Sequence, residues 1–140
     1  MIAREHLGVP LKIWARVIKK TSPLQAKTEV LLWAVQLAKS ENWRNVIFEG
    51  AVKICFDAIN NPDLPCPWIL PIPRCNILAL VEWFSSCSFV WVKRSCNGVA
   101  HQAARSAVIS CLSFFFHKDN LPPALSACCK ADYPNCTSFF

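Results

Sequence analysis

The segment Ser22-Pro-Leu-Gln-Ala-Lys-Thr-Glu-Val-Leu-Leu-Trp-Ala-Val-Gln-Leu-Ala38 carries the clearest structural signal in this chain. Ser22 can cap a helix, Pro23 suits the first helical position, and Gln25 completes an S-x-x-Q capping box. Apolar residues then recur at helical spacing: Leu24, Val30, Leu31, Ala34, Val35 and Ala38. This pattern predicts an amphipathic helix from Pro23 to about Ser40.

The segments on either side of this helix have strand patterns. A turn at Leu7-Gly8 followed by alternating apolar and polar residues over 11–18 predicts a β-hairpin with one buried face. Lys12 and Arg16 lie on the opposite face of that strand. Residues 46–48 are wholly apolar, which is typical of a buried strand. A strand thus precedes and another follows the helix.

The later elements complete an α/β order. We predict helices over 52–59 and 76–84, an irregular proline-rich connection over 62–73, and a strand over 88–92. Asn97 can cap a last helix that ends near Cys111. The succession predicts an α/β layer fold with a mixed sheet flanked by helices, in a domain spanning 1–113. Residues 114–140 form a C-terminal tail whose structure the pattern leaves unassigned.

Composition narrows the class of protein. With 54% hydrophobic and 17% charged residues, a long disordered chain is excluded, and the net charge of +6 suits a polyanionic partner. The nine cysteines include no C-x-x-C pair, so they do not predict a zinc site. The sequence shows neither a signal peptide nor an apolar run of the roughly 20 residues that a membrane helix needs. We therefore expect a soluble intracellular protein, nuclear or cytoplasmic, without membrane contact.

Four segments, in order, resemble the plant ribonuclease H type 1-like domains, which are reverse-transcriptase-like and derived from retroelements. Residues 22–38 resemble the family's first helix, which opens P-x-x-A-E. Asn45-Val-Ile-Phe-Glu-Gly-Ala-Val-Lys53 is similar to the next strand, which ends E-[SG]-D-[SA]. Val92-Lys-Arg-Ser-Cys-Asn-Gly-Val-Ala-His101 is similar to R-x-x-N-x-x-A-[DH]. Asn120-Leu-Pro-Pro123 matches an N-L-P tail. The resemblance implies a ribonuclease H-like fold.

The resemblance also implies a chemistry, and this chain departs from it. Active members hold two Mg²⁺ ions with four carboxylates. The first aspartate lies on the central strand, which would precede Met1, so we expect that strand to be lacking. The other three positions are occupied by Lys27, Ala51 and His101. No catalytic residue is intact, and we expect neither a metal site nor another cofactor in this chain.

Two neighbouring acids do not replace the lost ligands. Glu29 lies about 200° around the helix from Lys27, so its side chain points elsewhere. Glu49 shares a face with position 51 only if the strand continues that far. The alternative interpretation of Glu49 is purely structural: it is a charged residue at the end of a sheet and not a metal ligand.

Three functional hypotheses follow. In the first, the domain binds RNA–DNA hybrid or duplex weakly and does not cleave it. In the second, a longer form of the chain is an active hybrid ribonuclease. In the third, the domain is a non-enzymatic protein-interaction module. Loss of a central strand further predicts a partner strand or self-association. The candidate nucleic-acid contacts are Lys12, Arg16, Lys53, Arg94 and Asn97.

Overall fold

A computed structural model of the chain describes residues 1–18, 22–67 and 71–132. The chain divides into two compact units. The described part of the first unit comprises residues 1–18 and 93–132, and that of the second comprises residues 22–67 and 71–92. Each unit has its own core and its own sheet.

The described residues form five strands and five helices, besides two short 3₁₀ turns at Arg94–Asn97 and Lys118–Asn120. In chain order these are β1 (Ile2–Arg4), β2 (Pro10–Ala15), α1 (Pro23–Ser40), β3 (Asn45–Gly50), α2 (Lys53–Asn60), α3 (Pro71–Val81), β4 (Ser86–Trp91), α4 (Gly98–Ser110), β5 (Phe114–His117) and α5 (Pro123–Asp132). The predicted α/β class and element order are confirmed.

The sheet of the first unit is antiparallel, with strand order β1-β2-β5. The predicted hairpin is confirmed: Gly8 takes a positive φ of 80°, and its N–H donates to the carbonyl of Glu5 at 2.8 Å. The strand β2 ends at Ala15 rather than at residue 18. The expectation of one buried face is also wrong, because Ile13, Trp14 and Ala15 are all buried.

The sheet of the second unit is a parallel pair of β3 and β4. Its core includes Leu31, Val35 and Ala38 of α1, packed with Phe48 and Phe89 of the strands. The Oγ of Ser22 accepts from the N–H of Gln25 at 3.2 Å, so the predicted cap is confirmed, as is the helix from Pro23 to Ser40.

Several boundaries differ from the sequence prediction, among them the end of α3, which lies at Val81 rather than at residue 84. The helix α3 begins at Pro71, inside the stretch predicted to be irregular, because proline is tolerated in a first helical turn. Residues 68–70 of that stretch lie outside the described residues. The strand β4 begins two residues earlier than predicted and ends one earlier. Asn97 directly precedes α4, but its side chain makes no capping hydrogen bond, because a 3₁₀ turn leads straight into the helix.

The part of the tail that is described, residues 114–132, contributes β5 and α5 to the first unit. Leu125 and Cys129 of α5 join Val99 and Ala103 of α4 in its core. The domain boundary at residue 113 stays a prediction.

The predicted hairpin and the strand 46–48 fall in separate sheets, so no described strand pairs with both. A search of the described residues finds no helix with the length and apolar character required to cross a membrane.

Candidate nucleic-acid interface

Lys27, which the sequence resemblance assigns to the family's helix carboxylate position, is exposed on α1. The next residue, Thr28, is buried, and its Oγ1 donates to the carbonyl of Leu24 at 2.8 Å and lies 3.4 Å from the Sγ of Cys55. Burial raises the pKa of the Cys55 thiol, while the Thr28 hydrogen bond and the charge of Lys27 act in the opposite direction. Lys27 is therefore the charged group that acts on Cys55, and burial favours the neutral thiol there.

Ala51 follows the end of β3 in a bend and is half-buried. Because β3 ends at Gly50, the condition under which Glu49 would share a strand face with position 51 is not met. A Cβ at Gly50 would lie 2.6 Å from Cε2 of the buried Phe56 ring. The backbone at the family's strand-end position is thus packed tightly on α2, and Ala51 offers no ligand atom.

Glu29 does not turn toward Lys27. It is half-buried on α1, and its Oε1 accepts from Nε2 of Gln25 at 3.4 Å. This placement agrees with the expectation that Glu29 cannot replace the lost carboxylate.

Lys53, a predicted phosphate contact, begins α2 and is exposed. Its Nζ donates to Oδ2 of Asp57 one turn later, at 2.7 Å. Both side chains of this ion pair are exposed, so solvent screens their attraction and the pair adds little stability. It does reduce the positive potential that Lys53 presents to an anion.

Arg94 and His101 are brought together in the first unit. Nη2 of Arg94 lies 3.2 Å from Nε2 and 3.4 Å from Nδ1 of the His101 ring, and both residues are exposed. The nearly equal distances place the guanidinium against the ring face rather than at one nitrogen. Asn97 lies between Arg94 and His101 in the sequence. It directly precedes α4 and is half-buried. The signature segment thus forms one small cationic surface.

Lys12 and Arg16 belong to the same unit as Arg94. Lys12 is half-buried on β2, where its Nζ lies 5.8 Å from the centre of the Phe115 ring. Arg16 is exposed just after β2 ends. Arg94, Lys12 and Arg16 therefore give the first unit cations on two segments of chain.

Phe115 and His117 are surface residues that sequence reasoning missed. They are two residues apart on β5, so their side chains share one face of the strand, and Phe115 is 51% exposed. The signal was present in the aromatic run Phe114-Phe-Phe-His117, since aromatic residues favour strands. This run is only four residues long and lies in the tail that was left unassigned, so the strand was not predicted.

The donor set at the positions that the sequence resemblance assigns to the family's metal ligands does not suit Mg²⁺, which requires oxygen ligands. Those positions hold an ammonium, a methyl group and an imidazole, at Lys27, Ala51 and His101. Among residues 1–18, 22–67 and 71–132, no three histidine, cysteine or acidic side chains group where a metal ion could be held.

The comparisons with known proteins agree with this description. The model of the family described as "Reverse transcriptase-like" matches residues 1–107. That is well over half of the chain, and the chain therefore belongs to the reverse transcriptase-like family, a class of ribonuclease H-like domains.

Among solved structures, the chain is similar to ribonuclease H1 from the halophilic archaeon Halobacterium salinarum NRC-1. The TM-score is 0.63 at 19% sequence identity, and the match covers 68% of this chain and 72% of that one. This likeness shows the ribonuclease H fold. A search of curated proteins found no significant match.

Proposed function

We propose that this ribonuclease H-like domain binds nucleic acid, an RNA–DNA hybrid or a duplex, without cleaving it. The observation that carries the proposal is the exposed ammonium of Lys27 at the position of the family's helix carboxylate. A cation there repels a divalent ion and attracts a phosphate. We also infer a retroelement origin in a plant and an intracellular location, in the nucleus or the cytoplasm, from the sequence motifs quoted above.

Loss of cleavage is supported by the ligand chemistry. Two-metal hydrolysis needs carboxylates that neutralise both ions and fix their separation. Ala51 supplies no donor atom, and the pKa of the neighbouring Cys55 thiol is raised by burial, so that sulfur is not available as a thiolate. Lys27 opposes the metal directly.

Binding is supported by the cations of the first unit. Arg94, Lys12 and Arg16 can contact phosphates, which gives affinity without sequence preference. Lys53 and Asn97 are weaker candidates, because Lys53 is paired with Asp57 and Asn97 is uncharged. The net charge of +6 favours the same partner.

The test combines cleavage and binding on one labelled RNA–DNA hybrid. We expect no RNA cleavage in the presence of Mg²⁺, while an active ribonuclease H1 cleaves the same substrate under the same conditions. Binding should fall linearly on a logarithmic salt scale. Lys27→Glu combined with Ala51→Asp should leave activity far below that of the active enzyme, since the first aspartate position is not restored.

Two results would contradict the proposal. Reproducible cleavage by the purified chain that a chelator abolishes would show an active enzyme. Binding that is absent at low salt, or indifferent to salt, would remove the nucleic-acid function. Arg94→Gln should weaken hybrid binding, while Lys130→Gln on α5, also exposed, serves as the matched control.

A protein-interaction module is the second candidate, favoured by an apolar patch at the end of α4. Val108, Ile109 and Leu112 are 69%, 74% and 65% exposed. Contiguous exposed apolar surface of this kind marks interaction sites more often than scattered residues do. Salt-insensitive pull-down of a protein partner, lost in Ile109→Asp, would support this candidate over the first.

Self-association is part of the first proposal and is supported by the open edge of β3. Within the described part of the chain, β3 pairs with β4 along one edge. The other edge of β3 has no strand partner there. We expect concentration-dependent association that Ile47→Lys reduces, because a charge on an edge strand opposes pairing. Leu64→Lys in the exposed connection is the control, and equal effects of both variants would exclude the strand edge.

A further inference from the structure

One face of the antiparallel sheet combines an exposed aromatic ring with cations. Side chains alternate across a strand, so Phe115 and His117 of β5 lie on one face, and the pairing of Lys12 with His117 and of Trp14 with Phe115 adds β2 to it. We call these four residues, Lys12, Trp14, Phe115 and His117, the β5 face. The core of the unit, with Ile13 and Ala15, lies on the other side of the sheet.

The Phe115 ring is held in place yet open to solvent. It lies 5.7 Å from the Trp14 ring at an interplanar angle of 33°, and Trp14 is itself buried. Phe115 remains 51% exposed. A ring that is supported on one side and open on the other loses little freedom when a flat ligand stacks on it.

A positively charged side chain lies near the Phe115 ring. The Nζ of Lys12 lies 5.8 Å from the ring centre, and Arg16 is exposed two residues beyond Trp14. Nδ1 of His117 is 3.0 Å from Oδ2 of Asp119, so one imidazole nitrogen is oriented by a carboxylate. The β5 face thus offers a stacking surface with the ammonium of Lys12 beside it.

We propose that the β5 face binds single-stranded nucleic acid, with one base stacked on Phe115 and its phosphates contacted by Lys12 and Arg16. Unpaired strands present both the flat bases and the phosphates that this combination fits. An RNA–DNA hybrid has its bases paired and stacked, so it cannot use Phe115 in this way. The inference therefore adds a second ligand form to the proposed function and can fail separately from it.

The experiment uses the full chain and fluorescent single-stranded probes, oligouridylate and oligothymidylate, alongside a blunt RNA–DNA hybrid. Phe115→Leu keeps the apolar strand residue and removes the aromatic face. It should weaken single-strand binding by about 5- to 150-fold, the range expected for one stacked base, and leave hybrid binding unchanged. Ile109→Ala, which removes another exposed apolar side chain, should change neither.

Two further variants isolate the roles. Lys12→Gln should weaken single-strand binding and lower the magnitude of its salt slope by about 0.7, the value for one phosphate contact on a single strand. Phe115→Tyr should restore binding, which separates a stacking role from a purely structural one. Comparing the two probes shows whether the sugar of RNA or of DNA is preferred.

The outcomes are decisive in each case. Loss of single-strand binding in Phe115→Leu with rescue in Phe115→Tyr supports the proposal. Unchanged binding in Phe115→Leu, or equal loss for the hybrid and the single strands, overturns stacking at this face. Absence of single-strand binding by the unaltered chain at low salt overturns it as well, whether or not the hybrid binds.

Discussion

The strands β2 and β3 belong to different units and are paired differently. The strand β2 has β1 on one side and β5 on the other, and three consecutive residues, Ile13 to Ala15, are buried. Among the described residues β3 is paired on one side alone, and of its residues only Phe48 is buried. Pairing on both sides satisfies the backbone groups along both edges of β2, whereas one edge of β3 lacks a strand partner among the described residues.

The two sheets differ in what lies beside their strands. In the first unit the segment 114–117 supplies a second neighbour for β2. In the second unit the outer edge of β4 is partly satisfied by a side chain, since Nδ2 of Asn60 donates to the carbonyl of Phe89 at 2.9 Å. The edge of β3 has no comparable partner in the described part of the chain, which makes β3 the weaker strand.

The largest expected effect is on packing around β2. Ile13→Ala removes a side chain that is completely buried, and we expect a loss of about 2–5 kcal/mol in the free energy of unfolding. Ile47→Ala on β3 removes a half-buried side chain outside the core cluster, and we expect about 1 kcal/mol. Chemical denaturation followed by circular dichroism measures both. Equal losses would show that β3 is packed as well as β2, and the comparison would fail.

The second effect tests the tight end of β3. Gly50→Ala places a Cβ 2.6 Å from Cε2 of Phe56, whose buried ring has little room to move. We expect a destabilisation of about 1–3 kcal/mol, measured in the same way.

A double variant isolates the cause of that loss. Phe56→Leu made together with Gly50→Ala should cost less than the sum of the two single changes, because the clash that couples them is removed. Simple additivity would show that the strain arises elsewhere.

Local signals explain what the sequence predicted well. The helix α1 was predicted to within a residue because its cap, its proline and its apolar spacing all lie within the helix itself. The hairpin was predicted from Gly8, whose positive φ a turn requires. The strand β5 was missed, because its place beside β2 depends on contacts about 100 residues away in sequence, which no local pattern reveals.

The candidate site shows the same division. That Lys27 and Ala51 stand where the family has carboxylates is an expectation from the motif resemblance, and it stays a prediction. The contact between Arg94 and His101 could not be predicted from the sequence, because it depends on the 3₁₀ turn that leads into α4. Nor could the pairing of Lys53 with Asp57 be known before α2 was placed at Lys53–Asn60, since the pair requires one helical turn between them.

The smallest expected effect compares the cations of the two units. Arg94 lies against the His101 ring, whereas Lys53 is paired with a carboxylate, so we expect Arg94→Gln to weaken hybrid binding more than Lys53→Gln does. Asp57→Asn should strengthen hybrid binding at low salt by at most about fivefold, because two unit charges 4 Å apart in water interact by about 1 kcal/mol. The gain should vanish as salt screens the charges. Fluorescence anisotropy at several salt concentrations measures the gain in affinity, with Asp63→Asn in the exposed connection as the control.

If both substitutions raise the affinity equally, the gain reflects net charge alone, and Lys53 is not a phosphate contact. If Asp57→Asn acts and Asp63→Asn does not, the ion pair itself limits Lys53, and the second unit contributes to binding alongside the first.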